Sequence, residues 1–185
     1  GVTELFVTAV PADDGEDLEG IFRRAVSAVP GATIVGQDVF GAPCQTRRGQ
    51  EALRKVCGDP LWPVTWLEER QGAGKRLVGT TIHAVSGVPV SPLHLDGRVV
   101  GTVFEDDCGR WCRLGDIRPD DPSLPPETQA RYVFEMMERA LACAGMEFSH
   151  VFRTWLYIDR ILSWYGRFNE VRTGFFRERG VFDRL

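Results

Sequence analysis

The chain has 185 residues, a formal net charge of −4 and 43% apolar residues, which is enough apolar material for one ordinary domain or two small ones. A charged fraction of 26% with 10% aromatics excludes a disordered chain, and no apolar run approaches the roughly 20 residues that cross a bilayer. The slightly acidic balance, without a long basic run, gives a nucleic-acid surface no support. Residues 3–11 alternate as a strand and end at a proline. Leu18, Ile21, Phe22, Ala25 and Val29 recur at helical spacing and predict an amphipathic helix over 16–29, stopped by Pro30 and Gly31. A strand follows at 32–40, then a weaker helical stripe at Ala52, Leu53 and Val56. Strands at 64–67 and 76–85 flank a glycine-rich turn at 71–75.

After a break at Gly87-Val88-Pro89, strands at 90–95, 98–105 and 111–117 read as a meander joined by turns at Asp96-Gly97 and 107–109. A proline-rich loop leads to a helix from Glu127 in which Ala130, Val133, Phe134, Met137, Leu141 and Ala144 form one face, capped by Gly145. A strand is predicted at 150–159 and a helix at 160–179, with Ile161, Tyr165, Phe168, Arg172 and Phe175 on one side. The two halves share the order strand, helix, strand, helix. This predicts an α+β fold of two tandem copies, each a mixed sheet covered by two helices on one face, with one domain at 1–86 and the second at 87–185. In the second copy no strands follow the last helix, and an open sheet edge costs stability. The expectation is that a complementing carboxy-terminal segment or a second chain supplies them.

The stretch 150–159 carries the most chemistry. Alternation sends Phe152, Leu156 and Ile158 to a face beneath the helices and Arg153, Trp155 and Tyr157 to the other. An arginine with aromatics two and four residues on offers a bidentate donor beside flat apolar walls, which suits a small planar carboxylate. The other reading of the same residues is an arginine stacked on its own tryptophan at an interface. Of the 22 basic residues only Lys55 and Lys75 are lysines, a bias that base composition explains for most of the arginines.

Other groups read as structural. Glu105, Asp106 and Asp107 form a solvated turn, and His83 reads as a packed histidine rather than a base. Cys108 and Cys112 have one residue more between them than the usual zinc knuckle, so no metal site is expected. Cys44, in GAPCQTR ahead of a helix, reads as a bystander thiol. The five cysteines are too few and too unevenly spaced for a disulfide framework and imply reduced thiols in the cytoplasm. No nucleotide-binding or nucleophile-elbow pattern occurs, so no cofactor is expected.

The stretches WCRLGDI, ETQARYVFEMMERALACAGM, HVFRTWLYIDR and YGRFNEVRTGFF resemble the RidA/YjgF superfamily at Gln129, Ala144-Gly145, Val151, Thr154, Asp159, Phe168-Asn169 and Phe175-Phe176. The chain departs from that family at Leu114-Gly115-Asp116, where the family has Ser-Gly-Gln, and at Arg172, where it has Tyr. Tandem copies together with Arg153-Thr154-Trp155 and Tyr157 more closely resemble the chorismatases, cofactor-free enzymes that hydrolyse the enol ether of chorismate. By that resemblance 1–86 is a degenerate copy, and the protein is a hydrolase or imine deaminase of a small carboxylate metabolite. It would be assembled as a trimer, a pseudo-trimer or another homo-oligomer. Arg153, Trp155, Tyr157 and Asn169 are the substrate-binding candidates; the catalytic residues are expected beyond Leu185. An Asn inside a helix also serves as a polar group bonding a neighbouring loop. The alternative is a non-catalytic binding or interaction protein on the same fold.

Overall fold

The computed structural model describes residues 1–13, 15–68 and 77–184; the glycine-rich turn at 71–75 lies outside them. Thr3–Ala9 forms β1, with Leu5, Val7 and Ala9 turned to a core and Glu4, Phe6 and Thr8 to the other face. Leu18–Ser27 forms α1, whose amino end is fixed by Asp17: its Oδ1 accepts the Gly20 N–H at 2.7 Å. Asp17→Ala is expected to cost about 1 kcal/mol in urea unfolding. An unchanged midpoint would show that the cap contributes nothing. The helix buries Ile21, Phe22 and Ala25.

Thr33–Gly41 is β2, Thr46–Cys57 is α2, Val64–Glu68 is β3 and Leu77–Ser86 is β4. The helix α2 starts ahead of its apolar stripe, because the exposed first turn needs no core contact and Gly49 below it seats the Trp66 ring. The four strands lie in the order β1-β4-β2-β3, with β2 and β3 parallel and the other pairs antiparallel. Both helices pack on one face over Phe22, Ile34, Val39, Leu53, Ile82 and Ala84. On that face the buried Gln37 donates Nε2–H to Thr80 Oγ1 at 2.9 Å and accepts Trp62 Nε1–H at 3.1 Å.

An irregularity in the β2–β4 register falls between Ile34 and Gly36. It turns Val35 to the face opposite the helices, where it joins Val85 and Phe104. Val90–Leu95, Arg98–Asp106 and Gly109–Leu114 are β5, β6 and β7, an antiparallel sheet in the order β5-β6-β7. Asp96 and Gly97 both have positive φ, 50° and 76°, as a two-residue hairpin turn requires. The Thr102 hydroxyl donates to the Val35 carbonyl at 2.8 Å. The meander therefore packs with the first sheet, and the chain divides into compact units at Gly1–Asp116 and Ile117–Leu185, past the break in the sequence pattern at 86/87.

In the second unit Pro126–Cys143 forms α3 and Tyr165–Glu178 forms α4. Phe134 lies at the centre of their contact, with ring centroids 5.4 Å from Phe175, 5.8 Å from Phe176, 6.3 Å from Phe168 and 6.4 Å from Phe148. Arg131 forks onto Glu178 at 3.0 and 2.7 Å, Arg179 pairs with Glu138, and both guanidiniums lie over the Phe175 ring. The Arg179 hydrogen bond holds the Glu138 carboxyl below the usual carboxylate range.

Two expectations fail in this unit. The strand predicted at 150–159 is absent: Phe148–His150 is a 3-10 turn, and 151–158 lie in neither helix nor ladder. The last helix starts at Tyr165, because Arg160 takes a left-handed φ of 45° and Ile161–Ser163 winds as a 3-10 turn, held by Trp164 Nε1–H donating to the Asp159 carbonyl at 3.1 Å. Tyr165 faces solvent, whereas Phe168 and Phe175 are buried as predicted. The structure is α+β throughout, with four α-helices and two sheets among the described residues.

Candidate functional site

Alternation along 150–159 predicted one buried and one open face, but a face is buried only if a neighbouring strand fixes its register and a layer covers it. Phe152, assigned to the buried side, is 80% exposed, while Leu156 and Ile158 are half-buried. Trp155 and Tyr157 are exposed, as is Arg153. The Arg153 guanidinium lies 5.9 Å from the centroid of the Trp155 ring, so these two residues are brought together. Among the described residues no carboxylate pairs with Arg153, and its five donors stay open to a ligand. Farther along the chain, Ile158, Arg160, Ile161, Leu162 and Ser163 line an open depression of about 450 Å³ that includes none of Arg153, Trp155 and Tyr157.

Asn169 sits in α4, on the turn after the buried Phe168, and its Oδ1 is buried without a hydrogen-bond partner. The expectation of an asparagine satisfied by a neighbouring loop therefore fails for that oxygen. An orphaned buried acceptor is costly unless a donor arrives. Asn169 is joined to Arg153 and Trp155 by no hydrogen bond or ring contact.

A second constellation, in the first unit, was not read from the sequence. On the face of the four-stranded sheet away from α1 and α2, His83 of β4 stands opposite Phe6 of β1 on one side and Gly36 of β2 on the other. His83 Nε2 is 2.7 Å from Glu4 Oε2, Phe6 stacks on the imidazole at 4.4 Å with 8° between planes, and Nδ1 is buried without a partner. Burial pushes the His83 pKa down, against the pull of Glu4. Arg113 of β7 lies over Gly36, where a Cβ would stand 2.2 Å from its Nε, and approaches Asp38 Oδ2 at 3.6 Å. Burial raises the Asp38 pKa, opposed by Arg113 and by a hydrogen bond from Thr65. The available signal was the acid Asp38, the one charged residue in the strand Thr33–Gly41.

The cysteines are all free thiols; Cys112, half-buried on β7, has its pKa pushed up to about 11 by burial and is a poor nucleophile. No helix among the described residues is long and apolar enough to cross a membrane. No family model, curated protein or solved structure matches this chain.

Proposed function

We propose that this protein is a cofactor-free hydrolase of the RidA/YjgF type, built from two tandem copies of that fold and acting on a small carboxylate-bearing metabolite. Support for the tandem reading comes from the sequence resemblance and, in the structure, from the first half, β1-α1-β2-α2; the second half repeats only the two helices, α3 and α4, with 151–158 in no ladder between them. The observation that carries the ligand reading is Arg153, an exposed guanidinium over the Trp155 ring with no carboxylate partner among the described residues. Arg153 anchors the carboxylate, and Trp155 and Tyr157 wall the planar part of the ligand; Asn169, its Oδ1 buried and unpaired, is an acceptor set apart from these three. The compartment that fits five free thiols is the reducing cytoplasm.

The chorismatase-like subclass leads, with imine deamination second. Hydrolysis of an enol ether protonates the methylene carbon, adds water at the ether-bearing carbon and collapses the hemiketal. The C–O bond to the ring oxygen breaks, giving pyruvate and the ring alcohol. Pyruvate release from chorismate, and separately from freshly generated 2-aminoacrylate, distinguishes the subclasses. Arg153→Ala is expected to weaken carboxylate binding by about 10- to 100-fold, the equivalent of one charge-assisted pair, with the circular dichroism unchanged. Unchanged binding would assign Arg153 to an interface.

The second reading, a non-catalytic binding or interaction protein, is favoured by the exposure of Phe152 at 80% and Leu162 at 94%, large apolar groups suited to a complementing strand or a second chain. Binding of chorismate without pyruvate release supports it.

A further inference from the structure

The constellation in the first unit runs across both of its sheets as two bases set side by side between two acids: Glu4 on β1, His83 on β4, Arg113 on β7 and Asp38 on β2. We infer that these four residues form an acid-operated latch, in which a proton taken up by His83 sets a second cation against Arg113 and loosens β7 from the four-stranded sheet.

The geometry fixes what the proton does. With Nε2–H donating to Glu4, neutral His83 presents a lone pair at Nδ1, where no donor reaches it. Protonation at Nδ1 creates an N–H with no acceptor, in a side chain only 12% exposed and capped by the Phe6 ring. Three charged groups face this imidazole or its neighbours. Glu4 favours the cation, but its side chain is half exposed and its attraction is screened. Arg113 shares the face of β2 directly across from His83 and opposes the cation. Asp38, two residues along β2, faces Arg113 through the loose 3.6 Å pair.

The load falls on β7 because Arg113 is the side chain that carries this edge strand over Gly36, whereas β6 keeps its own anchors in Thr102 and Phe104. His83 and Asp38 act in opposite senses. A histidine depressed by burial leaves the unfolded state binding more protons, so its contribution is complete above the unfolded value of 6.5 and is lost as pH falls toward the depressed one. A carboxyl raised by burial destabilises the fold as pH climbs through the range above 3.8. The latch therefore opens in the window below 6.5, ahead of any relief from protonating Asp38.

The test is a pH titration of the intact chain by NMR, following the His83 ring and the amide protection of 109–114, corrected for intrinsic exchange. The expected result is a His83 titration below that of a free histidine, and amide protection of β7 that falls as the pH drops below 6.5 while the β6 amides paired with β5 stay protected. His83→Gln, which keeps an N–H for Glu4 but cannot charge, should abolish the fall. Arg113→Gln should move the His83 titration upward. The latch is overturned by a His83 titration at or above the free value, by β7 protection that does not change with pH, or by a fall that persists in His83→Gln.

Discussion

Phe175→Ala should cost about 3–5 kcal/mol and unfold the Ile117–Leu185 unit well before the rest of the chain. Phe175 is completely buried, its ring touches Phe134 and Phe148, and two guanidiniums rest on it. Removing the ring leaves a cavity bounded by aromatic groups and by Arg131 and Arg179. Neither arginine is free to fill it, because both are held by Glu178 and Glu138. The measurement is urea unfolding followed by tryptophan fluorescence, since Trp164 lies edge-on to Phe168 at 5.7 Å and reports on this core. A loss under about 1 kcal/mol would mean that the four helix-side rings collapse into the gap.

Gly49→Val is the second large effect, expected at the upper end of about 1–3 kcal/mol. A Cβ on Gly49 would stand 2.5 Å from two atoms of the Trp66 ring, which packs edge-on to the buried Phe22. The gain in helix propensity on replacing glycine, roughly 0.5 kcal/mol, is too small to offset that clash. Pairing the change with Trp66→Leu opens the space the valine needs, so the double variant should lose less than the sum of the two single ones. Simple additivity in denaturant unfolding would show that α2 shifts bodily and that Trp66 does not set its height over the sheet.

Residues 1–86 were legible in the sequence because their order β-α-β-α-β-β gives the apolar stripes of α1 and α2 a sheet to cover within that stretch. Residues 150–159 were misread for the converse reason. Alternation states that a segment suits an extended backbone, but a ladder needs hydrogen-bonding neighbours that the pattern of a single segment does not report. The start of α4 was misplaced because Arg160 in a left-handed turn leaves no trace in the periodicity of Ile161, Tyr165 and Phe168. The four residues around His83 were hidden by topology. β4 inserts between β1 and β2, so Glu4, Asp38, His83 and Arg113, scattered along the chain, become neighbours only through a strand order that local patterns do not encode. Arg153 and Trp155 needed no topology, because two positions along one extended stretch share a side.

The irregularity between Ile34 and Gly36 also decides which chemistry β2 can host. Ile34 and Val39 are five apart, an odd count that a regular strand would place on opposite faces, yet both lie in the core beneath the helices. The extra residue corrects the parity. Counted in unbroken phase from Ile34, Asp38 would project under α1 and α2, where no cation waits and a carboxylate is prohibitively costly to desolvate. Shifted by one, it meets Arg113 instead. Deleting a single residue from that strand would thus be a change of electrostatics as much as of length, exchanging an acid beside an arginine for an acid sealed in hydrocarbon.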